Sequence, residues 1–519
     1  MPTSSNDLLV GLAWALSAWL VGGLLMLPLE TLIKPQGAGR GRPAAAWVLQ
    51  FGLWTLTFSV LLLLSQRPVF AAGLGLAAAL VVVLVNNAKY QALQEPFLFS
   101  DFGLFSQAFR HPRLFLPFLG VRQALAGSAA VALSLYLGLA LEPALPAHTG
   151  WTTFLGLAAG GAALGIWLLR LGGRAAAQPT LEPERDLREL GLATSLWLYW
   201  RLERSQPQTP DEMSIRNSMA AMRCTQPVAH DRLPHIVAVQ SESFFDVRRL
   251  MGAIKPQILT SFDRTVNGAR LHGQLSVPAW GANTMRTEFG FLTGISADRL
   301  GVHQFNPYRR FARQPIPSLP SLLRTLGYRT LCIHPHPVSF FNRDLVYPQL
   351  GFDEFIDIRQ FDREETCGPY VCDAAVTRKI GDVLDRSDQP LFIFAITMEN
   401  HGPLHLEKVT PADNDRLYAT PPPDGFEDLT VYLRHLGNAD TMLGELSGML
   451  AHHPRDGVLC WFGDHVPSMP RVYAATGYTD GRTDYLLWRD RVGVAERRDL
   501  GVEDLASALL DVAGLATRD

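Results

Sequence analysis

The sequence is short of charge. Asp, Glu, Lys and Arg make up 18% of its 519 residues, against about 25% in an ordinary soluble domain. It is also short of cysteine: five residues are too few for a disulfide scaffold. A basic excess is missing as well, with Lys plus Arg at 46 and Asp plus Glu at 49. That balance excludes a general nucleic-acid binder. There is no internal repeat and no low-complexity tract. Hydrophobic residues reach 48%, which excludes a disordered chain, and mean hydropathy is slightly positive. The apolar excess lies before about residue 170, so a purely soluble enzyme is excluded too.

Five runs match the ~20 apolar residues that cross a bilayer: Leu8–Leu29, Ala44–Leu64, Pro68–Val85, Ala124–Leu141 and Trp151–Leu169. None contains Lys, Arg, Asp or Glu. The first lacks the basic start of a secretory signal and further spans follow it. Gly156, Ala158, Ala159, Gly160 and Gly161 suit close helix packing in lipid. Residues 86–117 are too polar to cross, with Lys89, Glu95, Asp101, Arg110 and Arg113 among aromatics. They form either a solvated loop or a re-entrant, interfacial segment that shapes a lipid headgroup site. These patterns divide the chain into a transmembrane domain (1–172), an interfacial linker (173–233) and a soluble domain (234–519). In the linker, Leu190–Leu202 carries Trp197, Tyr199 and Trp200 beside Arg201 and Arg204. It suits a helix at the membrane interface or one packed on the soluble domain.

From His235 onward, strand patterns alternate with helical ones. Strands are expected at His235–Gln240, Arg329–His334, Leu391–Ile396 and Gly457–Phe462. Helices are expected at Ser318–Leu326 and Val371–Leu384. This alternation predicts an α/β domain with a mostly parallel sheet. In such sheets ligands bind beyond the carboxyl ends of the strands. There the sequence places Ser241-Glu242-Ser243, His334 with His336, Thr397-Met398-Glu399-Asn400-His401 and Gly463-Asp464-His465. Glu242, Asp464 and His465 suit a divalent metal, and carboxylates mixed with imidazole fit Mn²⁺ or Zn²⁺ better than Ca²⁺. Gly281 and Asn283 suit a turn after which Thr284 opens a helix, where backbone N–H groups favour an anion. A metal on the Thr284 hydroxyl would make it a nucleophile towards phosphorus. Read alone, Thr284 is a helix N-cap.

Thr284 with Glu288-Phe289, Ser241-Glu242-Ser243, Asn342-Arg343-Asp344 and Gly463-Asp464-His465 resemble the motifs of lipoteichoic acid synthases. Those are phosphoglycerol transferases of the sulfatase and alkaline-phosphatase superfamily. Glu95-Pro96-Phe97-Leu98-Phe99-Ser100-Asp101 resembles the family's loop after the third span. The resemblance implies a five-helix transmembrane bundle followed by a sulfatase-like, alkaline-phosphatase-type α/β domain. It implies Thr284 as nucleophile and metal ligand, with Glu242, Asp464 and His465 completing a site for Mn²⁺, or for Zn²⁺ or Mg²⁺. Arg343, His401 and His334 would contact the phosphoglycerol group. Arg343 can clamp phosphate through two parallel hydrogen bonds, and His401 would act as general acid. His336 matches less well and would stand behind these residues. The donor would be phosphatidylglycerol or a related phospholipid, and the acceptor an envelope glycan or glycerol phosphate. Two departures bear on the choice of headgroup and acceptor: Phe341 stands where those synthases carry Trp, and Met285-Arg286-Thr287 differs from their usual residues. Thr284-Met285-Arg286-Thr287-Glu288 also lacks the Cys/Ser-x-Pro-x-Arg pattern that sulfatases need to make formylglycine, which argues against sulfate-ester hydrolysis.

Two rivals share the pattern. A phosphoethanolamine transferase uses the same nucleophile logic, but that family relies on several disulfides. A non-catalytic lipid or glycan receptor would have no need of both nucleophile and metal ligands. A literal count of Lys and Arg (Lys34, Arg40, Arg42, Arg170, Arg174) places the C-terminal half in the cytoplasm. The family layout instead places it outside the bacterial cell (inner) membrane, and this second placement is the one expected. Outside, the compartment is oxidising. Gly368-Pro369 can then turn the chain so that Cys367 and Cys372 bond, leaving the other three Cys free.

Overall fold

The computed structural model describes residues 5–37, 41–104, 121–176, 178–205, 233–311, 315–490 and 495–516. They belong to two compact units, Met1–Gln206 and Pro207–Asp519. Arg40, Arg110, Arg113 and Cys224 lie outside the described residues.

Each of the five apolar runs lies within a helix of the first unit: α1 (Ser5–Thr31), α2 (Ala44–Ser65), α3 (Pro68–Leu93), α4 (Val121–Leu141) and α5 (Trp151–Ala175). By length and composition α1, α2, α3 and α5 can cross a membrane. A helix satisfies its own backbone groups, which hydrocarbon requires. The outer surface agrees: Leu24 is 62% exposed and Leu64 74%, a solvation cost in water that lipid removes. The chain is a membrane protein.

Helices α2 and α5 cross closely, but not through all the small residues expected. A Cβ on Gly156 or Gly160 would meet nothing within 4 Å. The contact runs instead through Gly161 against Ser59, Gly165 against Leu56 and Gly172 against Leu49. A Cβ on Gly165 would lie 2.8 Å from the Leu56 backbone nitrogen, and backbone cannot rotate aside. Gly165→Leu should therefore force the helices apart and cost about 1–3 kcal/mol. Thermal unfolding in detergent measures this, and an unchanged midpoint would show that the crossing is not tight.

The loop after α3 is partly buried over its described part: Pro96, Phe97, Leu98 and Asp101 are buried, while Gln94, Phe102 and Gly103 are exposed. Lys89 Nζ pairs with Glu95 at 2.8 Å and Asp101 at 2.6 Å, all three side chains being at most 15% exposed. Asn86 Oδ1 accepts from Phe97 N, and Asp101 Oδ2 accepts from Leu98 N. These charges satisfy one another and fix the loop. Two helices follow, α6 (Pro183–Leu190) and α7 (Leu192–Ser205), and they belong to the first unit. Tyr199 donates to buried Asp186 at 2.7 Å, and Thr194 donates to the Ala46 carbonyl. Arg204 lies over Trp200 at 4.7 Å.

In the second unit the strands are β1 (His235–Ser241), β2 (Leu271–Ser276), β3 (Arg329–Ile333), β4 (Glu354–Ile356), β5 (Thr366–Cys367), β6 (Tyr370–Val371), β7 (Leu391–Ile396), β8 (Gly457–Gly463), β9 (Thr483–Arg489), β10 (Glu496–Arg497) and β11 (Leu500–Gly501). The main sheet runs β10-β2-β9-β8-β1-β7-β3-β4, with β11 on β2. The four strands read from sequence are its contiguous parallel centre, β8-β1-β7-β3. Strand β9 is antiparallel to both neighbours, so the sheet is mixed but mostly parallel.

Helices α8 (Thr284–Thr293), α9 (Arg343–Gln349), α10 (Asp373–Asp385), α11 (Glu427–His452) and α12 (Val502–Ala513) accompany it. Residues of β1 alternate between two cores. Val237 and Val239 join α10 and α11, while Ile236 and Ala238 join α8 and α12. Burial on both faces explains why β1, β7 and β8 read as unbroken apolar runs. Leu319–Thr325 and α10 realise the two expected helices.

Candidate active site

The parallel register brings the ends of β1 and β8 side by side, with Ser241 opposite Gly463. The next residues are Glu242 on one strand and Asp464-His465 on the other, all buried. A carboxylate oxygen from each acid and a ring nitrogen of His465 lie within 4.8 Å of one another. His465 Nε2 faces Asp464 Oδ2 at 3.4 Å and Glu242 Oε1 at 3.7 Å.

Asp464 and His465 are each held by their other polar atom, and Glu242 Oε1 accepts from the Ser243 hydroxyl at 3.0 Å. Asp464 Oδ1 accepts from Ser243 N at 2.8 Å and His465 N at 3.0 Å. His465 Nδ1 lies 3.1 Å from the Val466 carbonyl, so Nδ1 carries the proton and the Nε2 lone pair is free. A hydrogen bond of this kind orients metal-binding imidazoles. Asp464 Oδ2 and His465 Nε2 are buried without a hydrogen-bond partner. Such orphaned atoms are rare in folded proteins and need an explanation. A divalent cation on two carboxylates and one imidazole would supply it. Without a cation, burial and Asp464 push the Glu242 carboxyl up to about 8.

Thr284 is the first residue of α8, and the cap before it is Asn283 in the left-handed region (φ 67°). The loop is fastened to the Asp464 segment on both sides of Thr284. Gly281 N donates to the Val466 carbonyl at 3.0 Å, and the Thr287 hydroxyl donates to the Asp464 carbonyl at 2.7 Å. Among the described residues of this unit, four non-glycines have positive φ: Ser243, Asn283, Phe341 and Asn342. Each lies close in the chain to Glu242, Thr284 or Arg343. Such strain costs about 1–3 kcal/mol each and gathers where function requires it.

Arg343 departs from the phosphate clamp expected of it. Its Nε and Nη2 bind the two oxygens of Glu288, so the two parallel hydrogen bonds go to a buried carboxylate. Nη1 points to His334 Nε2 at 3.2 Å, and the guanidinium lies 5.3 Å from the Phe341 ring. His334 Nδ1 is 3.1 Å from the Ile396 carbonyl. Burial, reinforced by Arg343, holds His334 well below the ordinary histidine range. His336 stacks edge-on against Phe340 at 4.7 Å and sits 5.8 Å from the His334 ring.

Glu288 belongs to the motif, but its role is not legible in the sequence. It also accepts from Tyr308 at 2.8 Å and Tyr347 at 2.7 Å. Glu288→Ala would leave Arg343 charged, buried and unpaired. The expected cost is about 3–5 kcal/mol, more than a surface ion pair contributes. Thermal or denaturant unfolding tests it, and an unchanged midpoint would show that Arg343 finds another partner.

His401 sits after β7. Its Nδ1 is 2.6 Å from the Gly402 carbonyl and 3.2 Å from the Tyr370 hydroxyl. Burial lowers its pKa, so the ring is neutral with Nε2 as acceptor. This fits a base more directly than the general acid expected. Tyr370 lies on β6, in the hairpin closed by a Cys367–Cys372 disulfide with a Cα–Cα distance of 5.0 Å. Cys332 and Cys460 are free and buried. Glu399, which the sequence places at the end of β7, belongs to a network whose other members, His435 and Glu407, the sequence does not single out. His435 bridges Glu399 and Glu407, both at 2.9 Å, and these hydrogen bonds outweigh burial and raise its pKa. The only sequence signal is a His placed in a long amphipathic helix.

The sulfatase family model matches residues 234–515. The capsular polysaccharide biosynthesis protein RkpI of Rhizobium meliloti is 27% identical over 86% of this chain and 82% of its own length. A second protein of that organism, assigned to cyclic β-1,2-glucan modification, is 31% identical over 49% of this chain, which spans 39% of that protein's length. A lipoteichoic acid synthase of Staphylococcus saprophyticus is 28% identical over 32% of this chain and 25% of its own. Among solved structures, the lipooligosaccharide phosphoethanolamine transferase A of Neisseria meningitidis is 15% identical. It aligns with 98% of this chain and 95% of its own, at a TM-score of 0.54. That likeness spans both the helical unit and the α/β unit.

Proposed function

The chain belongs to the sulfatase family, and from that premise we propose that it is a membrane-bound phosphotransferase. It moves phosphoglycerol from phosphatidylglycerol to an envelope glycan or polyglycerol phosphate through a phospho-threonine intermediate. One observation carries this reading: a buried Glu242, Asp464 and His465 with orphaned ligand atoms, fastened to the helix that Thr284 opens. Thr284 also argues against formylglycine-dependent sulfate hydrolysis.

A divalent cation on Glu242, Asp464, His465 and the Thr284 hydroxyl would lower the hydroxyl's pKa and offset phosphoryl charge. Mn²⁺ is the first choice and Zn²⁺ or Mg²⁺ the alternatives. In the first transfer Thr284 Oγ1 bonds to phosphorus, the bond to the diacylglycerol oxygen breaks, and diacylglycerol leaves with a proton. In the second, an acceptor hydroxyl attacks the phospho-threonine and Thr284 regains its proton. Neutral His401 takes up the acceptor's proton through Nε2. Arg343 orients through Nη1 and positions His334 beside the phosphoryl group, with Glu288 holding its fork in place.

The names of the two rhizobial relatives support a glycan acceptor. The whole-chain likeness to a phosphoethanolamine transferase supports a second reading, in which ethanolamine phosphate is the group moved. Full-length protein given labelled phosphatidylglycerol or phosphatidylethanolamine separates the two. Diacylglycerol from the first lipid supports the leading reading, and diacylglycerol from the second alone supports the alternative. No diacylglycerol from either, with metal bound, points to a receptor.

We place the catalytic unit outside the inner membrane, a placement the Cys367–Cys372 bond supports because disulfides persist in oxidising compartments. Thiol labelling in intact cells should spare both residues until reductant is added. Labelling of both without reductant, together with protection of the domain from external protease, would place it in the cytoplasm.

A further inference from the structure

A cavity of about 920 Å³ lies in the first unit, among the later halves of α1 and α5, the middles of α2 and α3, α7, and Phe99 and Phe102 of the loop after α3. Its size is that of sites enclosing most of a ligand, about 300–1,000 Å³. Most of the wall is apolar, as at Leu53, Val83 and Ile166, on helices long enough to cross a membrane.

Its polar groups collect at one depth. Gly172 of α5 packs against Leu49 of α2, so Gln50 stands level with Arg170 and Arg174, all three lining the cavity. Gln50 is 5% exposed, and its Oε1 is buried without a hydrogen-bond partner. Two other charged groups of the lining have partners: Glu30 pairs with Arg42 at 2.6 Å, and Arg201 donates to the Gly173 carbonyl. Arg170 and Arg174, one helical turn apart, make no ion pair among the described residues. The cavity is thus a largely apolar cleft whose polar end carries Arg170 and Arg174, both exposed and without an ion pair among the described residues, and one unused buried acceptor.

We propose that this cavity binds one anionic diacyl phospholipid. Its acyl chains would lie along Leu53, Val83 and Ile166, its phosphodiester on Arg170 and Arg174, and a headgroup hydroxyl would donate to Gln50 Oε1. Arginine forks suit phosphate oxygens. A quaternary ammonium beside the same two arginines would be repelled and has no hydrogen to give Gln50. The site therefore selects anionic hydroxylated lipids over phosphatidylcholine. The inference rests on the first unit alone and holds whether or not the transfer reading does.

The test is native mass spectrometry of the full chain in nanodiscs of phosphatidylglycerol or phosphatidylcholine. One phosphatidylglycerol should be retained per chain, at least about tenfold more tightly than phosphatidylcholine. Arg170→Gln with Arg174→Gln should remove that preference, and Gln50→Leu should weaken it. Equal retention of the two lipids by the wild type would overturn the proposal without any variant having to fold. So would unchanged selectivity in a folded double variant. Because the readout is bound lipid rather than turnover, either result would leave the phosphotransferase reading standing.

Discussion

A Thr284→Ala variant should lose phosphoryl transfer by at least about a thousandfold, as expected when a covalent nucleophile is removed, and keep its fold. The structure separates the two effects. The α8 cap is Asn283, not Thr284, so the change removes no capping group. The turn is held instead by the Gly281 and Thr287 hydrogen bonds to the Asp464 segment. The stability cost should stay below about 1 kcal/mol. Diacylglycerol release measures the first effect and thermal unfolding the second. Normal release from a folded variant would sink the covalent mechanism. A Thr284→Ser variant should retain part of the activity, because it keeps the hydroxyl.

Removing the metal site should have an effect of similar size. Asp464→Asn keeps an oxygen for the Ser243 and His465 N–H groups but removes the negative charge from Oδ2. His465→Ala removes Nε2. Both should lower metal content and turnover together, as should chelation of the wild type, with Mn²⁺ or Zn²⁺ restoring activity. Full activity in excess chelator would refute the assignment.

The pH dependence gives an independent check. In the chelated protein Glu242 titrates at about 8, against about 4.3 in an unfolded chain. Between these values the native state binds more protons than the unfolded one. The stability from protonated Glu242 is therefore present at low pH and lost as pH rises through about 8. A cation needs the carboxylate, so its binding strengthens over the same interval. Metal-induced stabilisation in calorimetry should grow from mildly acidic to mildly alkaline pH. A shift independent of pH would mean that Glu242 is not a ligand.

Much of this architecture was legible because it follows from local rules. Uncharged runs of bilayer length form helices wherever they are placed, and all five did. Strands buried on both faces read as unbroken apolar runs, which marked β1, β7 and β8. The residues after them group together by sequence alone, because parallel strands deliver their carboxyl ends to one edge. Strands β2 and β9 escaped notice: they lie to one side of the four-stranded centre, and β2 alternates buried with half-buried positions.

What the sequence alone determined is therefore the order of the elements, the family motifs, and the candidates Glu242, Thr284, Asp464 and His465. Tertiary structure decided how the side chains are used. Glu288 and Arg343 are 55 residues apart, and no local pattern says that one occupies the other's fork. The helix crossing runs through Gly161, Gly165 and Gly172 and leaves Gly156 and Gly160 aside, because the approach of a second helix selects the face that must be small. His401 is neutral because burial outweighs its hydrogen bond to the Gly402 carbonyl, a balance that a strand-end motif does not specify. The cavity at Gln50, Arg170 and Arg174 exists only where several helices converge. Spacing along one chain fixes which groups are available; which of them are left without a partner depends on contacts between distant segments.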